Sequence, residues 1–153
     1  MNDVQVPSRP HASIERTVEW VDTDASGHQH NSAIMRWVES AEAELFIGLD
    51  LPDYFPSAPR VQQVVNFKAK LWFGQRVTAT VEVQNLGRTS MTFAFEVHGQ
   101  AHAKSMGGLA AYGTWTTVHV PAGAAAAQPW PAHIREALSP APLTPTNHLV
   151  RLA

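Results

Sequence analysis

The 153-residue chain has no cysteine. That excludes disulfides, thiolate metal ligands and a cysteine nucleophile, and it fits a reducing cytoplasm. No stretch approaches the ~20 apolar residues that a membrane-spanning helix needs. The opening residues, MNDVQVPSRPH, have neither the basic start nor the apolar run of a secretory signal. Charge of either sign is scarce in sum: 11 basic against 13 acidic side chains leave a net −2. No global field therefore points to nucleic acid or an anionic membrane, and an anionic ligand must be met by a local Arg/Lys patch or a helix N-terminus. There is no internal repeat. What remains is a chain of one-domain length with 44% apolar residues, enough for a real core. A soluble cytoplasmic protein is the expectation.

The apolar pattern changes period along the chain. Residues 1–11 read as a polar, loose lead with Pro7 and Pro10. From Ala12 to Val21, Ile14, Val18 and Trp20 share one parity, as in a strand with one buried face. From Asn31, residues Ile34, Trp37, Val38, Ala41 and Leu45 recur at helical spacing, with Arg36, Glu39, Glu42 and Glu44 mostly off that stripe. Asn31 or His30 stands where an N-cap belongs, and Gly48 is a natural stop. Three alternating runs follow: Val61, Val65, Phe67, Ala69 and Leu71; then Val77, Ala79, Val81 and Val83; then Met91, Phe93, Phe95 and Val97. A last strand spans 109–120, after an enlarged hairpin loop HGQAHAKSMGG. Residues 121–153 hold six of the eleven prolines, with a short helix expected around PAHIREALS and an otherwise irregular tail. Strand, helix, then four closely spaced strands predict an α+β fold, one helix against a curved antiparallel sheet. Such a sheet has exposed edges, so a second copy of the chain is an expected partner.

The chemistry concentrates in VDTDASGHQHN, residues 21–31. Asp24 can act as nucleophile or general base, or it can simply close an Asx turn. The N–H groups that follow Asn31 begin a helix and carry the positive end of its dipole, which suits a developing oxyanion; they can equally bind a cap and water. Gly27 permits a close approach or a turn. His28 and His30 suit metal, acid/base work or the surface, and His98 and His102 form a second pair with a hairpin-surface alternative. The helix glutamates read as a solvated face, with a catalytic base as the alternative. Arg88, Thr89 and Ser90 can hold phosphate or pantetheine, or serve an ordinary turn.

The run VEWVDTDASGHQHNSAIMRWVESAEAELFIGL resembles the opening signature of hot-dog fold thioesterases of the 4-hydroxybenzoyl-CoA thioesterase type. The later FKAKLWFGQRVTATVEVQNLGRTSMTFAFEV is similar to that family's central strands, with the Leu-Gly-Arg-x-Ser turn. The resemblance covers about residues 12–120, with residues 121–153 as a tail. It implies a long helix wrapped by an antiparallel sheet, and a homodimer or homotetramer with its active site between subunits. It also implies hydrolysis of a small or medium acyl-CoA, aromatic ones included, with the CoA thioester as substrate and no cofactor. By resemblance Asp24 is the nucleophile or general base, and the Asn31 backbone N–H polarises the thioester carbonyl. Gly27 and His28 match the family's glycine and histidine, and CoA contacts fall on Arg88, Thr89 and Ser90. His30 stands where many relatives have asparagine, and Ile34 where an aromatic is common, so His30 is read as lining the acyl pocket or assisting proton transfer. The alternatives are a hot-dog enoyl-CoA hydratase or dehydratase, whose Asp-x-Asn-Pro-x-His pattern is not matched, and a non-catalytic acyl-CoA-binding protein.

Overall fold

The computed structural model describes residues 9–139. Most of the expected loose lead and the far end of the proline-rich tail lie outside the described residues. In order, the elements are β1 (His11–Thr17), a 3-10 turn (Trp20–Asp22), α1 (Asn31–Gly48), a second 3-10 turn (Phe55–Ser57), β2 (Arg60–Phe67), β3 (Arg76–Leu86), β4 (Ser90–Gly99), β5 (Gly108–Val118) and α2 (Ala132–Leu138). The strands form one antiparallel sheet in the order β1-β3-β4-β5-β2. Helix α1 packs against β1, β3 and β4. This is the hot-dog arrangement of one helix held by a curved antiparallel sheet. No helix among the described residues is long and apolar enough to cross a membrane.

The periodic runs that face this chain's own core behave as expected. Ile34, Trp37, Val38, Ala41 and Leu45 are all buried along α1. They meet the inward rows Val77, Ala79, Val81 and Val83 of β3 and Met91, Phe93, Phe95 and Val97 of β4. Phe93 stacks on Trp115 of β5 with centroids 4.6 Å apart, adding a specific aromatic contact to simple burial. The cap of α1 is His30, whose Nδ1 accepts the Ser32 N–H at 3.1 Å; Asn31 is the first helical residue. At the other end Gly48 is not the left-handed stop. The Leu49 N–H still reaches Leu45 O, and Asp50 takes the positive φ of 54° instead.

Several expectations fail for identifiable reasons. Trp20 does not share the buried row of Ile14 and Val18, because β1 stops at Thr17 and the 3-10 turn leaves Trp20 77% exposed. The run from Val61 to Leu71 is not one inward face. β2 ends at Phe67, where Val61 and Phe67 are exposed and Val65 is half-buried; Ala69 is exposed, and only Leu71 is buried, from the following loop. β2 is an edge strand paired only with β5, and β3, its neighbour in sequence, lies across the sheet from it. Its backbone crosses β5 so closely at Gly113 that a Cβ there would collide with the Val64 carbonyl. The β4–β5 loop is shorter than expected, since His98 is a strand residue paired with Leu109. Glu42 is buried rather than solvated, because Arg60 of β2 reaches under α1 to its Oε1 at 3.3 Å. The expected short helix is α2. It anchors through Ile134 and Leu138, next to Trp130, which stacks on Tyr54.

Candidate active site

The connector between β1 and α1 is a closed, seated loop. Its base is set by the His30 N–H donating to Asp22 O at 2.7 Å and by a bridge between Thr23 and Gln29. Its tip turns where Gly27 N–H donates to Asp24 O at 3.0 Å, with Gly27 at φ 86°, a conformation that favours glycine. Two residues that sequence reasoning missed fix it in place. The buried Gln29 side chain accepts the Leu71 N–H at 2.7 Å, while its own N–H donates to Leu71 O at 2.8 Å. The buried Asp22 carboxylate accepts from the Glu19 N–H at 2.8 Å and from Arg36 of α1 at 2.9 Å. A glutamine between two histidines carries no local signal of such a clamp, because its partner lies 42 positions away.

Asp24 is exposed at the loop tip. Its Oδ1 accepts the Ser26 N–H at 2.8 Å and the Ser26 hydroxyl, so the Asx turn does form. The Ser26 hydroxyl, then the Ser26 amide, hold the carboxyl below its ordinary range against slight desolvation; nearby His28 and His30 add to this. Oδ2 takes no hydrogen bond among the described residues. The loop thus anchors one oxygen of an ionised carboxylate and leaves the other open.

The start of α1 shows the same economy. Ser32 N–H is taken by His30 Nδ1 and Ala33 N–H by His30 O. The Asn31 N–H has no acceptor among the described residues. It points from the positive end of an 18-residue helix, where an anion or carbonyl oxygen is favoured. Beside it a groove of about 560 Å³ runs between the first turns of α1 (His30, Asn31, Met35, Glu39) and Gln63, Val65 and Phe67 of β2. Asp24 is not among the residues lining that groove.

The other expected site residues divide by position. His30 lines the groove, but its Nδ1 is committed to the cap. His28 sets its ring edge-on to Trp72 with centroids 5.8 Å apart, and its buried Nδ1 has no partner among the described residues. His98 pairs with Glu96 at 3.7 Å, and His102 lies in the β4–β5 loop. Among the described residues, no group of three or more histidines and carboxylates converges as a metal site. Arg88, Thr89 and Ser90 sit at the opposite end of the sheet. Phe67 pairs with Ala111 and Ser90 with Val118, seven residues along β5, roughly 23 Å at ~3.3 Å per residue. One copy of the chain does not bring that turn to the loop. Of the helix glutamates, Glu39 lines the groove and Glu44 is exposed. Burial pushes the Glu42 carboxyl up, with Arg60 opposing.

A long helix held by a five-stranded antiparallel sheet defines a hot-dog protein. Residues 18–138 match the thioesterase-like superfamily, and the chain belongs to that family of thioester hydrolases. It is 25% identical over 97 residues to a 1,4-dihydroxy-2-naphthoyl-CoA hydrolase from Thermosynechococcus vestitus, a match that spans 60% of this chain and 66% of that relative. The fold is shared with a thioesterase from Thermus thermophilus complexed with coenzyme A and Zn, at TM-score 0.73 and 24% identity, covering 85% of this chain and 92% of that one. It is shared equally with the 4-hydroxybenzoyl-CoA thioesterase of a Pseudomonas species, at TM-score 0.73 and 18% identity, covering 85% and 99%.

Proposed function

We propose that this chain hydrolyses a small or medium acyl-CoA, aromatic acyl groups included, in the manner of the 4-hydroxybenzoyl-CoA thioesterase type. The observation that carries the reading is the pair of uncommitted groups, Asp24 Oδ2 at the tip of the closed loop and the Asn31 N–H at the start of the helix that follows it. The thioester carbonyl accepts the Asn31 N–H, which lowers the energy of the oxyanion as the carbonyl carbon becomes tetrahedral. Asp24 either takes the proton of an attacking water or attacks the carbon itself to give an anhydride that water then opens. In both routes the carbon–sulfur bond breaks, the sulfur leaves as CoA thiolate and is protonated, and a free acid remains. Ser26 holds the Asp24 side chain in place through Oδ1 and leaves Oδ2 free for the reaction. Gly27 and His28 shape the loop, and His30 lines the groove in which Met35, Val65 and Phe67 receive the acyl group.

A second copy of the chain completes the site in this reading. β2 is an unpaired edge with Val61, Val64 and Phe67 exposed, the surface a sheet edge offers to another sheet edge. Pairing there closes the open side of the groove, as a homodimer or a tetramer of two dimers.

The test is thiol release from a panel of aromatic and aliphatic acyl-CoA thioesters by wild type and Asp24→Asn. Turnover in the variant is expected to fall on the order of 10³-fold with folding unchanged. Undiminished turnover would remove Asp24 from the mechanism. A well-folded wild type that cleaves no thioester would sink the thioesterase reading and favour hydration of an enoyl-CoA or binding alone.

A further inference from the structure

The chain has only three lysines, Lys68, Lys70 and Lys104, and all three lie at the end of the sheet that carries the Asp24 loop. Lys68 and Lys70 directly follow Phe67, the last residue of β2 and a wall of the groove. Their segment is pinned by the Lys68 and Ala69 N–H groups, which donate to Ala110 O at 2.7 and 3.1 Å. Lys104 reaches from the β4–β5 loop to place its Nζ 5.0 Å from the centre of the Trp72 ring, the ring that His28 meets edge-on. All three lysines are exposed, and none forms an ion pair among the described residues. By contrast Arg36, Arg60 and Arg76 each hold a carboxylate. Two segments at this end of the sheet therefore present ammonium groups with no carboxylate partner among the described residues: Lys68 and Lys70 just beyond the Phe67 wall of the groove, and Lys104 over the Trp72 ring.

The order along the groove gives the cluster its meaning. The acyl walls end at Phe67 and the carbonyl position at Asn31; Lys70 follows within about 11 Å of Phe67, at no more than ~3.6 Å per residue. The pantetheine arm of CoA, with the bonds of a little over four residues between sulfur and first phosphorus, spans roughly 15 Å when extended. The arm and a lysine side chain meet over that distance. The Arg88 turn lies at the far end of β5.

We propose that Lys68, Lys70 and Lys104, flanking Trp72, hold the phosphates of the CoA carrier. This rests on the thioesterase reading for the thioester but not for the phosphate contact itself. The experiment titrates free CoA onto wild type, the triple variant Lys68→Gln/Lys70→Gln/Lys104→Gln and Arg88→Ala, then compares acyl-CoA with the acyl-N-acetylcysteamine thioester, which has no phosphate. In the triple variant CoA affinity falls and KM for acyl-CoA rises roughly thirtyfold, about threefold per exposed lysine. Its kcat, and its turnover of the N-acetylcysteamine thioester, stay unchanged. CoA affinity that depends on the lysines in a protein cleaving no thioester would keep the phosphate site and sink the hydrolase. An equal loss on the N-acetylcysteamine thioester would overturn the proposal, as would a KM rise confined to Arg88→Ala. Hydrolysis of acyl carrier protein thioesters by a wild type that does not bind CoA would also overturn it, assigning the lysines to a carrier protein.

Discussion

The two ends of the sheet turn the chain in opposite ways. At the Asp24 end, the loop and the helix start leave the Asn31 N–H and Asp24 Oδ2 open. At the Arg88 end, the three turn carbonyls are all taken: Gly87 O by Arg135, Arg88 O by the Trp130 N–H and Thr89 O by the His119 N–H. Both segments are polar and contain glycine, so composition does not separate them. Packing does: the Arg88 turn is tied down by partners from outside its hairpin, Arg135, Trp130 and His119, whereas the tip of the Asp24 loop closes only on itself.

After the loss of Asp24 itself, the largest effect should come from closing the open amide without disturbing the helix. Asn31 is the first residue of α1, where proline is tolerated, and His30 before it has the extended φ −71°, ψ 148° that a following proline requires. Asn31→Pro should lower kcat by roughly 10²- to 10³-fold, the cost of one oxyanion donor. Asn31→Ala, which keeps the N–H, should retain activity. Equal losses in both variants would show that the side chain, not the amide, matters. The packed Arg88 end calls for the reverse result. Trp130 is 3% exposed and packs on Tyr54, so Trp130→Ala should destabilise the fold by about 3 kcal/mol or more in chemical denaturation. The molecules that remain folded should keep the wild-type kcat. A fall in kcat instead would mean that this end also takes part in turnover.

The same contrast explains what could be read in the sequence. The α1 stripe and the β3 and β4 rows were legible because each faces the core of its own chain, so period and burial coincide. β2 was not: Val61 and Phe67 follow the pattern of an inward row but stand on an unpaired edge. Their pattern fits a surface that a second copy would cover. Trp20 misled because alternation does not mark where a strand gives way to a turn. Glu42 looked solvated from its helix alone; the residue that buries it, Arg60, comes 18 positions later. In the connector, residue types left the Asx turn and the reactive carboxylate as rivals; the Asx turn forms and uses only one carboxylate oxygen, so it does not exclude the proposed role of the other. Pairing Asp24 with the Asn31 amide came from family resemblance, since nothing in composition distinguishes a free first-turn N–H from a capped one.

A smaller effect tests how the open end keeps its carboxylate ionised. The Ser26 hydroxyl is the largest cause of the lowered Asp24 pKa, and Ser26→Ala removes it while the amide bond remains. A depressed folded value keeps Asp24 charged further into acid. Losing the hydroxyl should therefore move the acid limb of kcat/KM to higher pH and leave the neutral plateau in place. An unmoved limb would mean that it reports another group.

The smallest effect concerns Glu42, midway between the two ends, where a carboxyl is buried against α1 with Arg60 as its partner. Burial raises its pKa in the fold, the Arg60 charge opposing but not cancelling the shift. Its contribution to stability is therefore full below the unfolded value and is lost as pH rises through the higher folded one. Glutamine has the same shape and no proton to lose, so the stability gap between Glu42→Gln and wild type should drift in favour of glutamine from acid to neutral pH. Denaturation midpoints at a series of pH values would show the drift. A gap that is flat, or that moves towards the glutamate, would mean that the Arg60 pair outweighs desolvation and that this buried charge braces β2 against α1.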